Sequence, residues 1–286
     1  MVAGRVYRPD TLREALIQRE EAGAIPYAGG TDLMVKRRRW SGLAPFFDRP
    51  VLFIGHLSEL QSVERNADAI TISSACTLTA LLDHKWVPDI LKRAIKEMGS
   101  PAIRNVATIG GNICNASPAG DTLPVLYALD ASLVLESISG RRALPVERFI
   151  KGPGETVLHD NELLTQIIVP LRKYSIACYK KVGTRKANSL SKLSFVGLAK
   201  TGGGRVQEVR ISFGAVAPCV VRSREIEEKI VNKTGEDIKT SLSNISALYS
   251  ELIHPVSDQR STSRYRSEIS LRLLNHFLSS ELLPRL

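Results

Sequence analysis

Two glycine pairs, about eighty residues apart, constrain this chain more than any other feature. The first ends an apolar run, Ala24 to Ala28, inside the segment Pro26-Tyr27-Ala28-Gly29-Gly30-Thr31-Asp32-Leu33. An apolar run closed by Gly-Gly and followed by polar residues reads as strand, turn, then helix start. Successive backbone N–H groups there face one way and form a concavity for an anion. Glycine tolerates positive φ and lets a ligand approach the backbone. Thr31 adds a hydroxyl donor. Asp32 is unsuited to direct phosphate contact; it fits a cap of the turn or a ribose hydroxyl. A Gly-Gly pair before a helix is also ordinary turn chemistry, so this segment alone defines no site.

The second pair lies in Ile103-Arg104-Asn105-Val106-Ala107-Thr108-Ile109-Gly110-Gly111-Asn112, continuing through Ala116-Ser117-Pro118-Ala119-Gly120-Asp121. It repeats the logic: small residues, a glycine turn, a hydroxyl, an amide and a later carboxylate. Two such loops can grip the two ends of a pyrophosphate with its attached ribose or ribityl chain, which suits a dinucleotide better than a mononucleotide. The spacing differs from the Gly-x-Gly-x-x-Gly of the doubly wound NAD-binding fold.

The rest of the chain reads as mixed helix and sheet. Arg8 to Glu21 is a turn and a short amphipathic helix, with Thr11 as N-cap and Glu14 three residues on. Val51 to Ile54, Ile70 to Ile72, Ser132 to Ser137 and Ile167 to Pro170 read as strands. Thr79 to Leu82, with Thr77 as a possible cap, Pro88 to Met98 and Leu123 to Leu129 read as helices. Past a boundary at Pro170, Tyr174 to Val182, Phe195 to Lys200 and Val206 to Ala217 predict an antiparallel sheet turned by Gly202-Gly203-Gly204. Ile226 with Ile230, Ile238 to Leu252 and Arg264 to Leu283 predict helices over it.

Bulk properties limit the function classes. With 286 residues, 43% hydrophobic, the chain suits two domains with real cores. No apolar run approaches the length of a membrane span, so none is expected. The segment Met1 to Glu21 is charged throughout, which argues against a secretory leader and for a cytoplasmic protein. Cys76, Cys114, Cys178 and Cys219 lie far apart, with no zinc or iron–sulfur spacing, and read as reduced thiols. The net charge of +10 fits nucleic acid, an acidic lipid surface, an anionic ligand or an acidic partner. The basic run Lys36-Arg37-Arg38-Arg39 is followed by Trp40, but no nucleic-acid fold signature accompanies it. It reads as a solvated helix end near a phosphate site or a subunit contact.

Taken together, these segments resemble the flavoprotein (medium) subunit of the xanthine dehydrogenase and carbon monoxide dehydrogenase family of molybdenum hydroxylases. The likeness runs through Ala28 to Asp32, Ile103 to Asp121 and Leu129-Asp130-Ala131. It continues in Tyr179-Lys180-Lys181-Val182-Gly183-Thr184-Arg185, Phe213 to Pro218, Ser257-Asp258-Gln259-Arg260-Ser261 and Tyr265-Arg266. There are departures: Ser73-Ser74-Ala75 stands where many relatives have Ile-Gly-Ala, and Asn188-Ser189-Leu190 replaces a common acidic residue. No cysteine-rich insertion for an extra cluster is present.

The resemblance implies an α+β fold. Residues 1–170 would form a two-subdomain FAD-binding domain of the vanillyl-alcohol-oxidase/PCMH type (about 1–57 and 58–170). Residues 171–286 would form a C-terminal α+β domain of the CO dehydrogenase flavoprotein type. It also implies non-covalent FAD, with Pro26 to Leu33 and Thr108 to Asn112 around the pyrophosphate. Asp121 would lie near the ribityl or phosphate region, Leu164 and Lys181 near the isoalloxazine and Met98 near the adenine or in the core. A cationic Lys181 by the pyrimidine edge would favour the reduced, anionic flavin. Adjacent strand residues face opposite ways, so Lys180 is the alternative.

No residue of this chain is expected to act as a general acid or base. Molybdopterin is expected on a large partner subunit and [2Fe-2S] clusters on a small one, in a dimer of heterotrimers. Electrons would leave to an external acceptor, NAD among the alternatives. Competing readings are a stand-alone flavin oxidoreductase and a basic nucleic-acid-binding protein.

Overall fold

The computed structural model describes residues 4–185 and 188–286; the first residues of the charged segment Met1 to Glu21 thus lie outside the described residues. The chain runs through strand β1 (Val6–Tyr7), helix α1 (Leu12–Ala22), strand β2 (Ile25–Tyr27), helix α2 (Leu33–Lys36) and strand β3 (Val51–Phe53). Strands β4 (Val63–Arg65) and β5 (Ala69–Ser73) follow. Next come helices α3 (Leu78–Asp83), α4 (Asp89–Lys96), α5 (Pro101–Val106), α6 (Ile109–Cys114) and α7 (Thr122–Ala128). Strands β6 (Ser132–Ser137), β7 (Gly140–Pro145), β8 (Ile150–Gly152), β9 (Glu155–Thr156) and β10 (Leu163–Pro170) precede β11 (Ile176–Val182), β12 (Leu193–Gly202), β13 (Arg205–Gly214) and β14 (Val221–Arg222). Helices α8 (Arg224–Ile230), α9 (Gly235–Ser250) and α10 (Ser263–His276) follow, and helical turns continue through Phe277–Leu282 and Leu283–Arg285. The fold is α+β, as expected.

Two compact units share this chain. The first takes the described part of Met1–Val87 with Ser100–Ser117 and Ala131–Pro170; the second takes Pro88–Gly99, Pro118–Asp130 and Leu171–Leu286. Helices α4 and α7 therefore pack in the second unit although they precede β10 in sequence.

In the first unit, β1, β3 and β2 form a parallel sheet in that order. Helix α1 starts where the Thr11 side chain accepts the Glu14 N–H and ends at Gly23, whose φ of 56° is left-handed. It buries Ala15 and Leu16 against Leu52, Ile54, Leu57 and Leu60. Arg19 is also buried, its guanidinium donating to the Ala24 carbonyl at 2.6 Å and the Glu162 carbonyl at 3.3 Å. An antiparallel sheet in the order β4-β5-β10-β6-β7 completes this unit. Its central strand β10 buries Leu163, Leu164, Thr165, Ile167 and Val169, so it extends well upstream of the Ile167 to Pro170 run. Strand β7, Gly-Arg-Arg-Ala-Leu-Pro, carried too little apolar alternation to be read in the sequence.

In the second unit, β11-β12-β13-β14 form an antiparallel sheet, turned between β12 and β13 at Gly203 and Gly204, both at positive φ. Helices α8, α9 and α10 contribute Ile226, Ile230, Ile238, Ile245, Tyr249 and Leu274 to its core. Phe195 meets Phe213 at 5.2 Å and Phe277 at 5.7 Å between ring centroids. Gly197 is required there, since a Cβ would lie 2.6 Å from the Phe277 ring. Arg222, almost fully buried, pairs with Glu227 at 2.8 Å and Asp130 at 2.7 Å. Among the described residues, no helix is long and apolar enough to cross a membrane.

Candidate functional site

The three strands of the parallel sheet share one direction, and a cleft of about 730 Å³ opens where they end. Ligands favour the carboxyl ends of parallel strands, because the loops that leave the strands there can surround them. The end of β2 and the turn after it supply Tyr27, Ala28 and Gly29; the end of β3 and the turn after it supply Phe53, Gly55 and His56. Val6 and Arg8 come from the first strand and its exit, and Thr77, Asn105, Val106 and Thr108 complete the wall. The Tyr27 and Phe53 rings meet at 4.7 Å between centroids, tilted by 47°.

The first glycine segment keeps its donors free. Gly29, Gly30, Thr31 and Asp32 lie between β2 and α2, and their N–H groups reach no described acceptor. Gly30 has φ of 69°, and a Cβ there would fall 2.2 Å from the Tyr27 hydroxyl. A Cβ on Gly29 would fall 1.9 Å from the Val106 carbonyl oxygen. Asp32 makes no side-chain cap to α2; its carboxylate accepts instead from the Asn115 amide at 3.0 Å. The basic run after α2 sits at a helix end, where cations are favoured. Arg37 pairs with Asp48 at 3.0 Å, and Arg39 lies over the Phe46 ring at 4.6 Å.

The second glycine segment does not repeat this arrangement. It is no turn but the first turn of α6, and neither Gly110 nor Gly111 has positive φ. Thr108 caps the helix by accepting the Gly111 N–H at 3.1 Å. Ile109 N–H donates to the Cys76 carbonyl at 3.1 Å, Gly110 N–H to Ser74 at 2.8 Å and Asn112 N–H to Thr108 at 3.0 Å. These donors are therefore spent inside the chain. The physical reason is the buried pair Ile109 and Ile113, four residues apart, which turns the segment into a helix against the β5–α3 connection. Gly110 is needed for that contact, since a Cβ would lie 2.6 Å from Ser74 Cβ. At Gly111 a Cβ would meet only the capping Thr108 hydroxyl, at 2.9 Å. Gly111 is the one of the four glycines that is exposed.

Leu164 is a buried residue of β10, paired with Leu135 across the sheet. In the second unit Met98 follows α4, its N–H donating to the Ile95 carbonyl at 3.0 Å. Asp121 and Lys181 meet in that unit. Lys181 Nζ donates to an Asp121 carboxylate oxygen at 2.8 Å and to the Glu97 carbonyl at 2.7 Å. Both side chains are nearly fully buried, whereas Lys180 is exposed, so Lys181 is the inward-facing lysine of β11. Ser191 donates its hydroxyl to the other Asp121 oxygen. Burial pushes the Asp121 carboxyl upward, while attraction and the hydrogen bond from Lys181 pull it down. The buried Tyr179 phenol is pushed well up by desolvation and by the charge of Asp121.

For a diphosphate-bearing cofactor the first segment fits: consecutive unpaired N–H donors on glycine backbone, beside a cleft with aromatic walls. Arg8, His56, Thr77 and Ser191 were not among the sequence-level candidates. Each follows a strand or loop end with no motif of its own, and only pairing of distant segments brings it to its place.

Such a cleft at the ends of a small parallel sheet suits a protein that binds a nucleotide cofactor. The chain belongs to the FAD-binding medium-chain subunits of the xanthine dehydrogenase and CO dehydrogenase family, oxidoreductases that act as complexes. It matches the FAD binding domain in molybdopterin dehydrogenase over residues 2–172 and the CO dehydrogenase flavoprotein C-terminal domain over residues 177–280. It is 33% identical over 268 residues to the glyceraldehyde dehydrogenase medium chain of Sulfolobus acidocaldarius, covering 92% of each chain. It is 28% identical to a putative xanthine dehydrogenase FAD-binding subunit of Escherichia coli, covering 94% of this chain and 91% of that one. In fold it is similar to a chain of the reconstituted CO dehydrogenase from Oligotropha carboxidovorans, with a TM-score of 0.88, 21% identity and 99% coverage of both chains.

Proposed function

We propose that this chain is the electron-transfer subunit of a cytoplasmic molybdenum hydroxylase. It receives electrons from [2Fe-2S] clusters of a small partner subunit and delivers them to an external acceptor. A large partner subunit carries molybdopterin, and the assembly is a dimer of heterotrimers. The observation that carries the reading is the row of unpaired N–H groups from Gly29 to Asp32 beside the cleft, in a chain of an FAD-binding family.

FAD, when bound, supplies one- and two-electron redox chemistry. The chain's own part is to hold it. By the resemblance, residues 1–170 are assigned to the cofactor domain and 171–286 to the C-terminal domain, although α4 and α7 pack in the second unit. The N–H groups of Gly29 to Asp32 bind the phosphates, with Pro26, Tyr27, Ala28 and Leu33 shaping that segment. Thr108 to Asn112 contribute surface rather than amides, chiefly the open face of Gly111. Met98, Leu164, Asp121 and Lys181 are assigned to the cofactor by the resemblance alone.

The test is purification of the tagged full chain from its own cells. Flavin absorbance together with two co-purifying chains, one holding molybdopterin and one holding iron and acid-labile sulfide, supports the reading. A flavin-bearing chain that oxidises an organic substrate with no partner would replace it with the stand-alone oxidoreductase.

A further inference from the structure

The cleft holds an arginine that no sequence motif points to. Arg8 lines it beside Tyr27, Gly29 and His56, and no Asp or Glu is among the described lining residues. Its guanidinium makes no ion pair, hydrogen bond or ring contact with any described residue. Nearby arginines are engaged: Arg5 lies over the Tyr7 ring at 5.0 Å, Arg19 donates to the Ala24 carbonyl and Arg49 pairs with Asp160 at 3.1 Å. Among the described residues, Arg8 is thus a cation without a counter-ion, on the wall of a cleft whose described lining has no carboxylate.

The backbone that carries Arg8 is anchored. Proline at position 9 restricts the preceding residue to extended conformations. The buried Pro9 in turn has its carbonyl bound by the His56 ring at 2.9 Å. A carbonyl only accepts, so His56 Nε2 carries the proton of that bond. The side chain of Arg8 therefore starts from a fixed Cα at the cleft wall. Its planar fork of donors matches phosphate oxygens, and an Arg–phosphate pair is stronger than a neutral hydrogen bond.

We propose that Arg8 is a further binding residue of the cofactor site, pairing with the diphosphate of the bound dinucleotide alongside the free N–H groups of Gly29 to Asp32. This rests on reading the cleft as the FAD site. The amides supply directed donors without a net charge; Arg8 supplies the charge that balances part of the diphosphate. The consequence is selectivity for a diphosphate-bearing flavin over one without phosphate, and an affinity that falls with salt.

The experiment uses the full chain stripped of flavin and titrated with FAD and with riboflavin, at low and high ionic strength, by quenching of flavin fluorescence. Variants are Arg8→Gln, Arg8→Lys and Gly30→Val. Arg8→Gln is expected to weaken FAD roughly tenfold, flatten the salt dependence and leave riboflavin unchanged. Arg8→Lys should recover the salt dependence, because it restores the charge without the fork. Equal losses for FAD and riboflavin in Arg8→Gln would make the residue merely structural and overturn the proposal. Unchanged FAD affinity in Arg8→Gln, with loss in Gly30→Val, would overturn the role of Arg8 and leave the site standing. Unchanged affinity in both variants would remove the site and the proposal together.

Discussion

Lys181 and Asp121 form a buried ion pair, with Nζ 2.8 Å from the carboxylate and each side chain about one-twentieth exposed. An exposed pair contributes little, but removing one partner of a buried pair leaves a charge that neither water nor protein compensates. Lys181 is therefore not a free cation. Its charge is balanced by Asp121, and its position is fixed by the Glu97 carbonyl.

Lys181→Met should accordingly destabilise the chain by about 3–5 kcal/mol. The loss should grow with pH. Burial already raises the Asp121 carboxyl, and Lys181 opposes it first, ahead of the hydrogen bonds from Ser191 and Tyr179. Without Lys181 the carboxyl rises further and is held as the acid in the fold. A raised carboxyl adds stability while protonated and loses it as pH rises towards its folded value. Urea unfolding of Lys181→Met, Asp121→Asn and the double variant, at about pH 5 and about pH 8, measures this. A double variant no better than Lys181→Met alone at the higher pH would refute the pairing.

The glycines should separate into two kinds. Gly29→Ala and Gly110→Ala force a Cβ to 1.9 Å from the Val106 carbonyl and 2.6 Å from Ser74, so each should cost about 2 kcal/mol or more. Gly111→Ala gains helix propensity but crowds the Thr108 hydroxyl that caps its helix, at 2.9 Å, so it should cost about 1 kcal/mol, less than the other two. Its flavin content should nevertheless fall. Thermal melts and flavin-to-protein ratios of the three variants check this, and a fully loaded Gly111→Ala would show that its open face is not used.

Flavin should leave the chain on acid precipitation and appear in the supernatant. The cleft does contain a histidine, His56, which is outside both glycine segments, but its Nε2 is held by the Pro9 carbonyl. Cys114 is half-buried, and desolvation pushes its thiol up to about 12, which keeps it from acting as a nucleophile. Yellow colour retained in the pellet would point to a covalent bond, with His56 as the first residue to replace.

Asp258 should set part of the acid limit. It accepts from Arg266 and Arg260 at 2.6 Å each, and these hydrogen bonds hold its carboxyl well below the ordinary range. Stability from a depressed carboxyl is present above the ordinary value near pH 4 and is lost as pH falls through the folded one. Asp258→Asn leaves the buried Arg266 guanidinium without its anion and should cost about 1–3 kcal/mol at neutral pH. The variant should also show a shallower decline on acidification than the parent protein. An unaltered unfolding midpoint at neutral pH would dismiss this contact as incidental.

The sequence alone determined what local rules govern. Thr11 and Thr77 cap helices that start next to them, and the apolar run at the centre of Ser132 to Ser137 is the strand it was read as. The stretch from Ile103 to Asn112 carried the family, because a string of adjacent residues needs no tertiary knowledge to be matched. The second glycine pair shows where that ends. Gly110 and Gly111 are chemically the same as Gly29 and Gly30, but Ser74, Cys76 and Thr108 take up the donors of one segment and no described residue takes up those of the other. Nor does any local pattern place β1 and β2 on either side of β3, the pairing that brings Arg8 and His56 to one cleft. The inward face of Lys181 and its partner Asp121, sixty residues earlier, were decided by tertiary structure too. Periodicity and capping act over a few residues, whereas a hydrogen bond between distant segments depends on which strands pair, and that is settled only when the cores close.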